Sequence, residues 1–149
     1  MILQTVRFLV VILTALALVP AGAHFFELFN KMGLSQEQYF TVQGIYRGWA
    51  LFGFVLLGAI GVNLVHAILI RDEPHAFWLA LLAFLLMVGS LAIFFIWTYP
   101  ANQVTSNWTV APANWASLRT QWEFSHAANA VTTFLALCAA TTSLLVTKR

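Results

Sequence analysis

Two short segments at opposite ends of the chain carry histidine and glutamate at helical spacing. His24 and Glu27 form a His-x-x-Glu pair, and Glu123 and His126 form the reversed pair, Glu-x-x-His. Residues three apart on a helix are neighbours on one face. Each pair therefore presents an imidazole beside a carboxylate, and these two groups serve as ligands for zinc, iron, manganese and copper in proteins.

The helix face that holds Glu123 and His126 also carries Arg119, Trp122 and Asn129, because these residues follow at steps of three and four. Arg119 and Glu123 are candidate catalytic residues. Trp122 and Asn129 are candidate contacts to a cofactor. This face is therefore where we expect chemistry to take place.

Three interpretations of the paired motifs remain open. In the first, the motif side chains bind a transition metal ion, with His24, Glu27, Glu123 and His126 as its ligands. In the second, the two glutamates form ion pairs with Arg47 and Arg119 and the histidines form hydrogen bonds between helices. In the third, the two histidines are axial ligands of haem. Arg47 has a further candidate role in catalysis, in which it holds an anionic substrate.

The composition indicates that these motifs lie in a membrane protein. Hydrophobic residues make up 61% of the 149 residues and charged residues only 8%, whereas soluble proteins average about half and about a quarter. The net charge of +2 argues against nucleic acid as a partner. The single cysteine, Cys138, excludes a disulfide framework within one chain.

Four apolar segments are each long enough to form a helix across the roughly 30 Å hydrocarbon core of a bilayer. They cover approximately residues 4–29, 40–70, 77–99 and 113–147. We predict an all-α fold, an integral membrane four-helix bundle of up-down-up-down topology, with a single transmembrane domain over residues 1–149. The first segment has small residues that resemble a signal-peptide cleavage site, but its apolar character continues beyond them, which favours a membrane span.

The distribution of basic residues predicts the orientation, because lysine and arginine are enriched on the cytoplasmic side. With the N-terminus inside, four of the seven basic residues are cytoplasmic, namely Arg7, Arg71, Lys148 and Arg149. We therefore predict that both termini are cytoplasmic and that the membrane is a bacterial inner membrane. The paired motifs then lie near the outer face.

The first and last helices are expected to be antiparallel neighbours, with His24 and His126 at the same depth. Glu27 and Glu123 would then lie about 4.5 Å nearer the surface, at about 1.5 Å per residue. Ionisable groups inside a membrane span are costly and are by default functional candidates.

The second segment holds two further patterns. Gly44-x-x-x-Gly48 is typical of helices that approach closely in lipid, either within the chain or in a homo-oligomer. Asn63 and His66 lie one turn apart near its inner end, where we expect a histidine with a hydrogen-bond partner between helices.

The chain also resembles a known family. The resemblance lies in Asn107-Trp108, Asn114-Trp115, Leu118-Arg119, Trp122-Glu123 and His126. On these residues the chain is similar to the small four-helix membrane proteins of unknown function that are grouped with the anthrone oxygenases. The resemblance implies a four-helix membrane fold and, for some members, oxygenation of a polycyclic phenolic substrate.

The leading hypothesis is a metal-dependent, oxygenase-like oxidoreductase that acts on a lipophilic small molecule at the outer membrane face. Its expected partners are the lipid bilayer and that small molecule, and its metal would be iron, copper, zinc or manganese. The alternative is a non-enzymatic accessory subunit or small-solute carrier in which the same side chains hold the helices together. A haem protein with two histidine ligands is a further alternative.

Overall fold

The computed structural model describes residues 1–147, and these form helices joined by short turns. The α-helices are α1 Ile2–Met32, α2 Gln36–Gln43, α3 Phe52–Leu69, α4 Pro74–Ile93, α5 Tyr99–Val104 and α6 Trp115–Val146. Four helical segments are long and apolar enough to cross a membrane, namely Ile2–Met32, Trp49–Leu69, Pro74–Val104 and Trp115–Val146. The predicted all-α class and the integral membrane character are confirmed. The cytoplasmic placement of Lys148 and Arg149 lies outside the described residues.

The four long helices pack as a bundle in which α1 contacts α3 and α6, and α4 contacts the same two helices. Small side chains are frequent in the middle of the bundle, as in the cluster in which Ala17, Ala59 and Ala136 pack around Met87. Such residues let helices approach closely where lipid provides no hydrophobic driving force between them.

The outer surface of the bundle is strongly apolar. Large side chains are exposed on every long helix, among them Phe8, Leu16, Phe54, Leu85 and Phe134. A monomer in water rarely exposes so large a contiguous apolar surface. The fold therefore buries small residues inside and directs large ones outward, as a lipid environment requires.

The second predicted helix, expected to run from residue 40 to residue 70, is interrupted in the structure. Helix α2 begins at Gln36, after the N-cap Ser35, whose hydroxyl forms a capping box with Gln38, and it ends before Gly44. Two 3-10 turns, Gly44–Tyr46 and Trp49–Leu51, then lead into α3. Between them the backbone of Gly48 has a φ of +89°, a left-handed conformation that a side chain disfavours. The membrane span therefore begins at Trp49.

Gly48 and Gly44 offer a matched test of this break. A Cβ atom at either position would meet none of the described residues within 4 Å, but only Gly48 has a positive φ. We expect Gly48→Ala to lower the free energy of unfolding by about 1–2 kcal/mol because of backbone strain. Gly44→Ala, at φ −61°, should leave the stability unchanged or raise it by about 0.4–1 kcal/mol. Chemical unfolding in detergent micelles measures the stability of both variants. Equal changes in the two variants would contradict the conclusion that only Gly48 needs a left-handed backbone.

The third helix, expected to end near Pro100, continues past this residue. The π-helical stretch Phe94–Thr98 precedes Pro100, which lies in the first turn of α5. In a first turn the missing N–H of proline costs no helical hydrogen bond, so the chain stays helical to Val104. The fourth helix begins at Trp115, two residues later than expected.

Candidate functional site

The end of α1 and the beginning of α6 bring the two histidine–glutamate motifs together. The ring centroids of His24 and His126 lie 4.2 Å apart. His24 and Glu123 are buried, whereas His126 is half-buried. The structure therefore places imidazole beside imidazole.

A lysine lies among these side chains. Lys31 Nζ is 3.0 Å from Glu123 Oε2, 3.4 Å from Glu27 Oε2 and 3.0 Å from His24 Nδ1. The Lys31 side chain is 4% exposed and that of Glu123 is 0% exposed, while the Glu27 side chain is 40% exposed. We call His24, Glu27, Lys31, Glu123 and His126 the Lys31 centre.

Lys31 was not among the predicted site residues, because the predicted first span ended near residue 29. The signal was nevertheless present. Lys31 follows Glu27 by four residues and His24 by seven, so all three share one face of a continuous helix. The structure extends α1 to Met32, which places Lys31 on that helix.

The contact between Lys31 and His24 defines the state of the imidazole. A protonated lysine has only donors, so its Nζ donates and His24 Nδ1 accepts. The ring of His24 is therefore neutral and carries its hydrogen on Nε2.

Two tyrosines complete the hydrogen bonding of the carboxylates. The Tyr39 hydroxyl donates to Glu123 Oε1 at 2.9 Å, and the Tyr46 hydroxyl donates to Glu27 Oε2. Burial raises the pKa of Tyr39, and the negative charge of Glu123 raises it further. Burial and the hydrogen bond to Glu27 raise the pKa of Tyr46 in the same way. Both phenols therefore stay protonated and act as donors.

The raised pKa of Tyr39 predicts a loss of stability in alkaline solution. The unfolded chain releases this proton near its ordinary pKa of about 10, whereas the folded protein retains it. The stabilisation is therefore complete below about pH 10 and falls as the pH rises above that value. We expect Tyr39→Phe to make the unfolding free energy less dependent on pH between about pH 10 and 12, as measured by chemical unfolding. If the unfolding free energy of Tyr39→Phe depended on pH as strongly as that of the wild type, Tyr39 would not be the group responsible.

Arg119 and Arg47 do not pair with the glutamates. Arg119 Nη1 donates to the carbonyl oxygen of Leu34 at 2.8 Å, and its guanidinium lies 4.8 Å from the Trp115 ring. Arg119 thus binds the turn after α1 and fixes α1 against α6. Arg47 is exposed. The two ion pairs found among residues 1–147 both involve Lys31, so lysine takes the role that the charge-network interpretation gave to these arginines.

Trp122 covers the two histidines. Its ring centroid lies 4.8 Å from that of His24 and 4.2 Å from that of His126. Its indole N–H donates to Asn102 Oδ1 at 2.8 Å, and the indole of Trp108 donates to the same oxygen at 3.2 Å. Asn102 thus orients two tryptophans, a role that the sequence analysis did not predict. Asn129, the other candidate cofactor contact, is buried about two turns beyond Trp122 along α6.

The turn after α5 closes the site on the side of α2. Ser106, Asn107 and Trp108 have positive φ values of 48°, 55° and 63°, an uncommon conformation for residues other than glycine. This turn buries Trp108 against Tyr39 and Trp122. The polar groups of the Lys31 centre therefore lie beneath an aromatic layer.

The position of Lys31 does not fit a bound metal ion. Its ammonium group lies 3.0 Å from both a histidine nitrogen and a glutamate oxygen that were predicted as ligands, and its positive charge opposes a cation there. Within residues 1–147, no group of three or more His, Cys, Asp and Glu side chains is arranged to hold a metal ion. In this structure the cation that contacts both glutamates and His24 is the ammonium group of Lys31.

Comparison with known proteins identifies no family for this chain, since no protein-family model, curated protein or solved structure matches it. The functional assignment therefore depends on the geometry of the Lys31 centre.

Proposed function

We propose that this protein is a membrane-embedded, oxygenase-like oxidoreductase that uses the Lys31 centre for acid–base chemistry on a lipophilic phenolic substrate. The observation that carries the proposal is the convergence of a lysine, two glutamates and two histidines. Lys31 Nζ lies 3.0–3.4 Å from the two glutamates and His24, and the ring centroids of His24 and His126 are 4.2 Å apart. Ionisable groups in a span are costly and mark functional sites by default.

Each member of the centre has a chemical role in this proposal. Glu123 acts as the general base in this proposal, because it is a buried carboxylate that its contacts with Lys31 and Tyr39 hold in place. Lys31 stabilises the negative charge that develops on the substrate oxygen as the proton leaves. The half-buried His126, beside Trp122, contacts the flat substrate.

The proposed reaction class comes from the resemblance of residues 107–126 to membrane proteins of unknown function that are grouped with the anthrone oxygenases. In that chemistry a ring methylene loses a proton to the base, and the resulting carbanion, delocalised as an enolate, reacts with molecular oxygen. The methylene is oxidised to a carbonyl, and one O2 is reduced, with one oxygen atom entering the quinone and the other leaving as water. Proton abstraction is the step that the Lys31 centre would accelerate.

The orientation is part of the proposal. Ser143 in α6 donates a hydrogen bond to the carbonyl of Ala76 in α4 at 2.8 Å, and His24 meets His126 toward the opposite end of the bundle. These contacts support an up-down-up-down arrangement. With Arg7 and Arg71 on the cytoplasmic side of a bacterial inner membrane, the Lys31 centre lies near the outer face.

A turnover assay tests the proposal. The protein in lipid nanodiscs is mixed with a hydroxyanthrone, and oxygen consumption and quinone absorbance are recorded. We expect quinone to form at least about tenfold faster than in empty nanodiscs, since positioned acid–base groups contribute about 100-fold or more. A rate equal to that of empty nanodiscs would support the non-enzymatic alternative, an accessory subunit or solute carrier.

A metal-dependent form of the reaction is the second candidate, and the close approach of the His24 and His126 rings favours it. It requires the Lys31 side chain to move away from the glutamates and His24. Elemental analysis of the purified protein tests it: stoichiometric iron, copper, zinc or manganese that is lost in His24→Ala and His126→Ala would support it. Metal at background would exclude it, and the intense visible absorption of a porphyrin would indicate haem instead.

A further inference from the structure

A cavity of about 450 Å³ lies between α6 and the helical segment that contains the π-helical stretch Phe94–Thr98. We call it the π-stretch cavity, and it is lined by Ile93, Trp97, Thr120, Gln121, Phe124, Ser125 and Ala128. Ligand pockets in proteins measure about 300–1,000 Å³ and combine apolar and aromatic side chains with a few polar groups. The cavity therefore has the size and the lining of a small-molecule site.

The π-stretch cavity is separate from the Lys31 centre, because the two lie on different faces of α6. Phe124 and Ala128 are about one turn apart and share a face, whereas His126 lies about 200° around the helix axis from Phe124. Two aromatic side chains of the lining are largely exposed, Trp97 at 47% and Phe124 at 53%. The cavity therefore opens on the outer surface of the bundle, where a molecule dissolved in the bilayer can reach it.

Hydrogen bonds to α6 hold the π-helical wall of the cavity in place. Gln121 Nε2 donates to the carbonyl oxygen of Trp97 at 2.8 Å, and Ser125 Oγ lies 2.7 Å from Thr98 Oγ1. Thr98 is 0% exposed and Ser125 is 6% exposed, so the second contact is buried. A π-helical turn is rare and is found frequently at functional sites. The cavity is therefore bounded by a wall of fixed shape.

Two polar groups of the lining can bind a ligand. The Gln121 amide uses its nitrogen to donate to a carbonyl, which leaves its oxygen as an acceptor. Trp97 contacts Gln121 through its backbone carbonyl, and its indole N–H is a further donor. A hydroxyl group can donate to an amide oxygen and accept from an N–H. The lining therefore suits a ligand with a hydroxyl group.

The lining also indicates the charge and the shape of the ligand. None of the seven residues that line the cavity is ionisable, so a charged ligand would lose hydration without gaining a counter-charge. Trp97 and Phe124 present ring surfaces, and aromatic rings pack favourably in offset or edge-to-face arrangements. These properties favour a neutral aromatic molecule.

We propose that the π-stretch cavity binds a neutral aromatic molecule that carries a hydroxyl group and enters from the bilayer. Its rings pack against Trp97 and Phe124, and its hydroxyl group donates to the amide oxygen of Gln121. This second ligand site does not depend on the reaction proposed for the Lys31 centre.

Photolabelling of the full chain in lipid nanodiscs tests the site. The probe is 4-(hydroxymethyl)benzophenone, a neutral aromatic alcohol. Under ultraviolet light its ketone oxygen takes a hydrogen atom from a nearby C–H group, and the two carbon radicals that result form a bond. We expect saturable labelling at Ile93 and Ala128, at least about tenfold above that of the lipid-exposed Leu57. Labelling that does not saturate, or that is equal at Leu57, would overturn the proposal.

Two matched probes test the chemistry of recognition. 4-Methylbenzophenone lacks the hydroxyl group, and benzophenone-4-carboxylate carries a negative charge. We expect each to label Ile93 and Ala128 at least about fivefold less than the alcohol does, since a lost hydrogen bond or a desolvated charge weakens binding by about this factor or more. Equal saturable labelling by the three probes would overturn the assignment of a neutral hydroxyl ligand.

A pair of variants tests the location. Ala128→Leu fills the cavity at an exposed position, and Ala116→Leu makes the same change at an exposed position about 18 Å away along α6. We expect labelling of Ile93 to fall at least about fivefold in Ala128→Leu and to stay unchanged in Ala116→Leu. Equal labelling in the two variants would overturn the assignment. Hydroxyanthrone turnover is not measured in these experiments, so failure here and failure of the proposed reaction are distinguishable.

Discussion

Replacement of Lys31 by methionine is expected to lower the free energy of unfolding by about 3–5 kcal/mol, because removing one partner of a buried ion pair leaves the other charge uncompensated. Lys31 is 4% exposed and contacts Glu123, which is fully buried, as well as Glu27. Methionine fills a similar volume, so the loss reports mainly the charge. Circular dichroism during chemical unfolding in micelles measures it.

Two further variants define the cause of this loss. Arg71→Met removes an exposed positive charge and should change the stability by less than about 0.5 kcal/mol. The double variant Lys31→Met/Glu123→Gln should regain part of the loss, since a neutral amide needs no counter-ion. A single-variant loss below about 1 kcal/mol, typical of exposed pairs, would show that Lys31 does not hold the centre together.

The second large effect is expected on catalysis. Glu123→Gln should lower hydroxyanthrone turnover by about 100- to 10,000-fold, the range for loss of a positioned general base. Glutamine keeps an oxygen that can accept the hydrogen bond from Tyr39, and Glu27 continues to pair with Lys31. We therefore expect the variant to fold and to bind substrate.

The matched control is Glu37→Gln, which alters an exposed glutamate in the first turn of α2 and should leave turnover unchanged. Turnover of Glu123→Gln within about threefold of the wild type would remove Glu123 from the proposed chemistry. A change in stability without a change in turnover would favour the interpretation in which the charges only join helices.

The histidine–glutamate motifs suit two kinds of cation, a transition metal ion or the ammonium group of a lysine. Two histidines and two glutamates at these spacings satisfy the preferences of several transition metals. Three of these side chains also suit an ammonium group, because Lys31 donates to the carboxylates of Glu27 and Glu123 and to the imidazole nitrogen of His24. Metal analysis of the wild type and of His24→Ala therefore decides which cation the motif serves.

The positions at which the helices break or continue could not be predicted from glycine and proline positions in the sequence. Gly44-x-x-x-Gly48 is a pattern of close helix packing, yet Gly48 serves a left-handed turn and a Cβ atom at either glycine would meet none of the described residues within 4 Å. Pro100 is a helix terminator in isolation, yet the π-helical stretch Phe94–Thr98 allows the helix to continue. In both cases the backbone conformation depends on neighbouring elements.

The sequence by itself determined the membrane class, the four apolar segments and the shared face of Glu123, His126 and their neighbours. These properties follow from composition and from the 3.6-residue period of a helix, which act over a few residues. Only the tertiary structure decided that Lys31, rather than Arg47 or Arg119, meets Glu123, and that His66 is buried with neither ring nitrogen bonded to a described residue. Ion pairs and hydrogen bonds act over about 3 Å, and such distances between α1, α3 and α6 exist only once the helices have packed.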